Sequence, residues 1–211
     1  MVSHALSQFF ASVAIMLPAF LISLSFHEFC HALSATLLGD DTPKKQGRLT
    51  LNPLAHVDPL GLFFLLLFRI GWAKPVIFDQ RNFKYPKLYS IITALAGPMA
   101  NFFLALVMLY SIKYFPVLGL SAPVTLSFLQ IFQATAYINI MLGVFNLLPI
   151  PPLDGSHIIM VFLTEKYPEA AIWLYRYSMF ILLALFILPQ TRVMLINLIV
   201  IAEKLLQQLV F

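Results

Sequence analysis

The residues with the clearest potential for chemistry are His27, Glu28 and His31, inside the apolar stretch LISLSFHEFCHALSATLLGD at 21–40. Residues four apart share one face of a helix, so the two imidazoles can offer nitrogens to a single metal ion. Glu28 lies about 100° further round and can reach a water on that metal as a general base. The spacing HExxH therefore predicts a metal site, for which catalytic zinc normally needs a third protein ligand.

The candidate for that third ligand is Asp154, in the segment NLLPIPPLDGSHI at 146–158. The prolines of this segment cannot continue a helix, and irregular backbone at membrane depth is tolerated only where it is buried in protein or lines a wet cavity. Gly155 allows a tight turn, so the segment can carry a carboxylate toward the histidines. The alternative is that Asp154 caps a helix that begins near Ser156.

The elements that must position these residues are apolar. The chain has 211 residues, of which 61% are hydrophobic and only 10% are charged, unlike a soluble domain. A span across a hydrocarbon core of about 30 Å needs about 20 helical residues. Five stretches qualify, at 6–38, 88–110, 123–148, 170–188 and 192–210. The last two are predicted to form a helical hairpin over 170–210, and the whole chain, 1–211, is predicted to be one domain of an all-α polytopic membrane protein.

Two further regions lie between the first and second spans. The apolar run 60–72 is too short to cross alone, so it is predicted to be a re-entrant or interfacial segment, with a short sixth span as the alternative. The surrounding region 40–87 contains pieces such as GRLTL and KPVIF, which indicate small β-like strands or turns at the membrane face.

The basic residues cluster in the same region and set the orientation. They are Lys44, Lys45, Arg48, Lys74, Arg81, Lys84 and Lys87. By the positive-inside rule this region is cytoplasmic. If 60–72 does not cross, the third span returns to the same face and brings Asp154 to the side of His27 and His31. Because the basic residues flank membrane segments, a nucleic-acid partner is not expected.

Several segments, taken in order, resemble one known family. They are HEFCH, NPLAHVDPLG, GWAKPV, AGPMANFFLA and NLLPIPPLDGSHI. The chain resembles the site-2 protease family of intramembrane zinc metalloproteases, in particular its small members that carry little beyond the catalytic core. The resemblance implies that His27, His31 and Asp154 bind one Zn²⁺ and that Glu28 activates water. It also implies a place for Asn146 near the active site, holding substrate or the oxyanion; the alternative is a hydrogen bond between helices.

Other polar residues have a structural interpretation beside a functional one. Gly97 and Asn101 in the second span favour close helix packing. His56 and Asp58 favour shaping of the loop over metal binding. His157, three residues after Asp154, is either a partner of the site or a surface residue.

The leading hypothesis is therefore a zinc endopeptidase that cuts peptide bonds in or near transmembrane segments of membrane proteins, as in regulated intramembrane proteolysis. It predicts a multi-pass protein of the cell membrane, in contact with the lipid bilayer, with its active site toward the cytoplasm. The alternative is a membrane protein that binds or transports metal without proteolysis. The sequence does not fix whether a homo-oligomer or a regulatory membrane partner is needed.

Overall fold

The computed structural model describes the backbone of residues 2–68 and 71–211, with the side chains of 10–65 and 71–211; Arg69 and Ile70, part of the predicted re-entrant run, lie outside the described residues. The described chain is helical. Its helices are α1 (Val2–Leu37), α2 (Thr42–Lys45), α3 (Pro59–Phe68), α4 (Pro86–Tyr114), α5 (Ala122–Asn146), α6 (Ser156–Lys166), α7 (Pro168–Ile187) and α8 (Pro189–Val210).

Five of the described helices, α1, α4, α5, α7 and α8, are long and apolar enough to cross a membrane, and they match the five predicted spans. Proline lies in the first turn of α4, α5, α7 and α8, where its missing N–H would have no helical partner. The prediction of an all-α polytopic membrane protein is confirmed. That residues 1–211 form one domain stays a prediction.

Helices α1, α4 and α5 pack together and form the part of the bundle that carries the site. Small residues such as Ala19, Ala94, Ala105 and Ala136 are buried in these helices. They allow the backbones to approach, which is the usual way in which membrane helices gain contact.

Helix α8 covers the other side of α4 and α5, with Leu195 and Ile199 buried against Ala105 and Ile140. The Tyr110 hydroxyl donates to the Leu209 carbonyl over 3.2 Å, so the end of α8 lies beside the end of α4. Helices α7 and α8 join directly at Leu188.

The two ends of the short apolar run lie next to each other. Helix α3 has ten residues, and Ala73 after it forms an antiparallel bridge with Val57 before it. The rings of Phe64 and Trp72 lie 5.4 Å apart. Leu65 and Ala73 pack against the buried residues of α1 and α5. This geometry matches the predicted re-entrant segment and not the short sixth span.

Of the strands or turns predicted in region 40–87, the structure forms turns. Within its described residues the region contains helices α2 and α3, turns, two 3-10 turns and the single bridge between Val57 and Ala73. The buried guanidinium of Arg48 donates to backbone carbonyls that the N–H groups of a partner strand would otherwise meet. Arg48 donates to the carbonyls of Ala55, Lys74 and Pro75, the last two over 2.6 and 2.9 Å. These carbonyls are satisfied without a ladder, which is why the alternating pattern does not produce a sheet.

Candidate metal centre

The histidines of α1 lie on one face, and Asp154 meets them from the segment after α5. The Nε2 atoms of His27 and His31 are 3.0 Å apart. Asp154 Oδ2 is 3.1 Å from the first and 3.3 Å from the second. Both imidazoles are buried, at 5% and 6% exposure. The residues that the sequence predicts as ligands are therefore brought together.

The outer nitrogens of both rings are already engaged. His31 Nδ1 lies 2.7 Å from the Thr93 carbonyl, and His27 Nδ1 lies 2.6 Å from Asn101 Oδ1. A carbonyl only accepts, so His31 carries a proton on Nδ1, and the neutral ring that binds a metal presents its lone pair on Nε2. Such partners on the far nitrogen are what holds the rings of metal-ligating histidines.

The three atoms that face one another, Nε2 of His27, Nε2 of His31 and Oδ2 of Asp154, fit a metal ion. Asp154 Oδ2 is buried and has no hydrogen-bond partner among the described residues, although two imidazole nitrogens face it. Acceptor atoms at such distances repel one another unless a cation lies between them. Ligands at 2.0 to 2.1 Å from a tetrahedral zinc lie about 3.3 Å from each other, close to the spacing observed here. His27, His31 and Asp154 can thus hold one ion between them.

The segment after α5 positions the aspartate by folding back on the helix end. The N–H of Gly155 donates to the Asn146 carbonyl over 2.6 Å. A Cβ at Gly155 would overlap the Leu147 carbonyl, so only glycine fits this turn. The capping position of α6 is Gly155, and it makes no side-chain cap bond. The alternative that Asp154 caps this helix is therefore wrong.

Glu28, next to the first histidine, is buried with 6% of its surface exposed. Its Oε2 accepts a hydrogen bond from the backbone N–H of Val76 over 2.9 Å. Val76 follows the Lys74 and Pro75 carbonyls that Arg48 holds, so the loop before α4 reaches the carboxylate. Sequence reasoning missed Val76 and Arg48 because a backbone donor leaves no signal in residue type, and Arg48 was interpreted as an orientation signal.

Gly97 and Asn101, interpreted from the sequence as packing residues, are part of the site. A Cβ at Gly97 would lie 2.6 Å from ring atoms of both His27 and His31. Asn101 is fully buried against His27. The signal that could have found them is their spacing: one helix turn apart, in a span that must pack on α1.

The remaining candidates have other surroundings. His56 Nε2 bonds to the Thr50 carbonyl over 2.8 Å, and Asp58 Oδ1 accepts from the Gly61 N–H over 2.8 Å, which agrees with loop shaping. The His157 ring lies 5.6 Å from that of Phe78. The role of Asn146 stays a prediction; its carbonyl holds the Gly155 turn.

The helical bundle and the converging acceptor atoms together define a multi-pass membrane metalloprotein. The family description Peptidase family M50 matches residues 117–185. The chain is 37% identical over 171 residues to YwhC of Bacillus subtilis (strain 168), which carries the name of a zinc metalloprotease, and the alignment covers 80% of this chain and 78% of YwhC. The chain belongs to peptidase family M50, the site-2 protease family of zinc metalloproteases.

Two mycobacterial proteins named Rip2 are also similar. The Rip2 protein of Mycolicibacterium smegmatis is 37% identical over 148 residues, which are 67% of this chain and 54% of that protein. The Rip2 protein of Mycobacterium tuberculosis (strain ATCC 25618 / H37Rv) is 31% identical over 187 residues, 85% of this chain and 70% of that protein. No solved structure matches the chain. The predictions of a membrane metalloprotease and of Zn²⁺ as its cofactor are confirmed.

Proposed function

We propose that the chain is a zinc-dependent endopeptidase that hydrolyses peptide bonds in or near transmembrane segments of other membrane proteins. His27, His31 and Asp154 hold the zinc, and Glu28 is the general base. The observation that carries this proposal is the meeting of acceptor atoms within 3.3 Å of one another beside a buried carboxylate, with both histidines and that carboxylate on a membrane-spanning helix. Ionisable groups at such depth are costly and are normally functional.

The chemistry divides between the ion and the protein. Zinc, when bound, supplies Lewis acidity that lowers the pKa of water and polarises a peptide carbonyl. Glu28 accepts a proton from the attacking water, whose oxygen bonds to the carbonyl carbon. The C–N bond then breaks, and Glu28 passes the proton to the leaving amine. The buried histidines keep their outer N–H bonds to Asn101 and to the Thr93 carbonyl throughout.

The depth of the site restricts the substrate. His31 lies six residues and His27 ten residues before the end of α1 at Leu37, which is roughly 9 and 15 Å along the axis. A substrate that stays in the bilayer can reach this level. Its helical carbonyls are hydrogen-bonded, so the segment to be cut must unwind locally before attack. The bilayer and membrane-spanning substrates are therefore the proposed partners.

The orientation is part of the same proposal. The basic residues before α4 favour a cytoplasmic location for the end of α1 at Leu37, which places the site toward the cytoplasm of a cell membrane. Cys30 is the single cysteine of the chain, so Cys30→Ser gives a background for mapping. Lys45→Cys should be protected from a membrane-impermeant thiol reagent in intact cells, and Ser121→Cys should be labelled. The reverse pattern contradicts this orientation.

The deciding experiment is cleavage by the purified full chain in lipid vesicles with a panel of single-span membrane proteins. The wild type should contain one zinc per chain and cut a subset of the panel. Glu28→Gln should retain the zinc and lose cleavage by roughly 10²-fold or more. A chain that moves or binds metal equally well after Glu28→Gln, and cleaves nothing before it, would instead support the metal-binding or transport alternative.

A further inference from the structure

A buried polar network runs from the metal centre into the bundle, away from the loops. It joins Ser23 of α1, Asn101 of α4 and Asn139 of α5, all at 0% exposure. Asn101 Nδ2 donates to Asn139 Oδ1 over 2.7 Å, and Asn139 Nδ2 donates to Ser23 Oγ over 2.7 Å. Ser23 Oγ donates to the Ala19 carbonyl over 2.6 Å. We call Ser23, Asn139 and Asn101 the polar relay.

The orientation of the amides in the polar relay follows from groups that can only accept. Asn139 also lies 2.8 Å from the Thr135 carbonyl, so the side of its amide that faces this carbonyl is the NH₂ group. The oxygen of Asn139 then faces Asn101 and must accept from it. Asn101 Nδ2 is also within 3.4 Å of the Ser23 carbonyl, a second group that can only accept. These two carbonyls fix the orientation of both amides.

The orientation of the Asn101 amide determines which of its atoms faces His27. With its NH₂ group committed to Asn139 and Ser23, Asn101 presents only its oxygen to His27 Nδ1, 2.6 Å away. His27 must therefore carry its proton on Nδ1. Its Nε2 lone pair is then aimed at His31 and Asp154.

We infer that the polar relay is a positioning device that fixes the metal-binding tautomer of His27. His31 needs no such device because a backbone carbonyl, that of Thr93, receives its Nδ1 proton directly. An amide differs from a carbonyl because it can flip and present N–H to the ring. Asn139 and Ser23 exclude that flip. This inference deepens the proposed function, since it rests on His27 as a zinc ligand, but it concerns metal binding and not cleavage.

The test uses the full chain in lipid nanodiscs, with ¹⁵N-labelled histidine and competition with a zinc chelator. Asn139→Leu removes the acceptor that holds Asn101. We expect the ¹⁵N shifts of the zinc-loaded protein to show His27 bound through Nε2 in only part of the molecules, where the wild type shows it in all. We also expect zinc affinity to fall by about 10- to 100-fold, the usual cost of losing a partner of a ligating histidine.

Two substitutions at Ser23 change less of the buried volume and are therefore less disruptive to folding. They also distinguish an effect of the polar relay from an effect of general helix packing. Ser23→Ala should shift the tautomer and weaken zinc binding in the same direction, and Ser23→Thr, which keeps the hydroxyl, should restore both. Ser25→Ala is the matched control, because Ser25 Oγ also bonds to a carbonyl four residues earlier on α1, that of Leu21, over 2.6 Å. It should behave as the wild type.

If Ser23→Ala and Asn139→Leu leave His27 protonated on Nδ1 and zinc affinity within twofold, the inference is overturned. If Ser25→Ala weakens zinc binding as much as Ser23→Ala, the effect belongs to helix packing and the inference is also overturned. Failure of the proposed protease is a different result: the wild type would bind zinc with the expected tautomer and cut no substrate.

Discussion

The backbone N–H of Val76 donates a hydrogen bond to Oε2 of Glu28 over 2.9 Å, across 48 positions of sequence. The bond holds one oxygen of the carboxylate and leaves the other for the proton transfer that we propose. It also ties the loop before α4 to the first span at the level of the metal centre. Arg48 holds the two carbonyls before Val76. The loop is therefore fixed in the position from which the Val76 N–H donates to Glu28.

The first prediction removes only that donor. Val76→Pro deletes the backbone N–H and fixes φ at this position, while the residue before it, Pro75, already has a fixed φ. We expect zinc content to stay at one per chain and cleavage to fall roughly tenfold or more, because an unanchored carboxylate loses its orientation toward the water. Metal analysis and cleavage of a single-span substrate measure the two quantities.

Val76→Ala is the control for this variant, since it shortens the side chain and keeps the N–H. It should retain cleavage within about twofold, as expected for a change that keeps the bond. Equal loss in both variants would show that the Val76 side chain, and not its backbone donor, supports Glu28.

Much of the fold and the ligand set could be predicted because the signals are local. Five spans follow from long, mostly apolar runs, since each must satisfy its backbone within the bilayer. His27 and His31 follow from a four-residue spacing on one helix. Asp154 follows from a proline-broken segment that a spanning helix cannot contain, and the turn at Gly155 shows why that segment closes where it does.

The rest depends on contacts between distant parts of the chain. Asn101 meets His27 across 74 positions, and no residue pattern distinguishes this amide from one that only joins helices. For the same reason the sequence predicts strands or turns at the pieces GRLTL and KPVIF, where the structure has turns and irregular backbone. Their alternation is real, but whether a backbone carbonyl pairs with a strand or with Arg48 is decided by the tertiary structure.

The second prediction concerns that arginine. Arg48→Met keeps the length of the side chain but leaves the carbonyls of Ala55, Lys74 and Pro75 without their donor. We expect a loss of about 1–3 kcal/mol of stability, the usual cost of unpaired buried groups. Limited proteolysis of the protein in detergent should then cut within 72–78, and thermal unfolding should begin at lower temperature.

Arg81→Gln is the matched control for Arg48→Met, because Arg81 lies in the same loop region and pairs only with the neighbouring Asp79 among the described residues. Its exposed ion pair contributes little. The melting temperature should therefore match that of the wild type. A wild-type digestion pattern for Arg48→Met would contradict the role given to Arg48.

The third prediction concerns the pH dependence of folding stability that Asp40, just after the end of α1, produces. Burial of the Asp40 carboxyl alone would raise its pKa, but hydrogen bonds from Thr42, Asn82 and the backbone of Asp79 outweigh this and hold the pKa below the ordinary value. A carboxyl whose pKa is lower in the folded state stabilises the fold above its unfolded pKa, about 3.9. That contribution is lost as pH falls through the folded pKa.

Asp40→Asn should therefore lower the melting temperature at neutral pH, because its NH₂ group meets donors instead of giving them an acceptor. The difference from the wild type should be largest between pH 5 and 7 and should shrink as the pH is lowered below about 4. Thermal unfolding in nanodiscs across this range measures it. A difference that grows on acidification would reverse the sign argued here.

The last prediction tests whether α4 must approach the histidines as closely as it does. Gly97→Ala puts a Cβ 2.6 Å from Cε1 of His27 and of His31, so either the rings rotate or α4 retreats. Each response disturbs the Nδ1 bonds to Asn101 and to the Thr93 carbonyl, and we expect zinc affinity to fall by about tenfold or more. Gly143→Ala is the comparison, because its Cβ would first meet the Phe102 ring, at 2.9 Å. Crowding costs stability in both variants, by about 1–3 kcal/mol. Zinc titration against a chelator should separate them: Gly143→Ala should bind as the wild type does, and unchanged binding in Gly97→Ala would show that the rings do not need the space that glycine leaves.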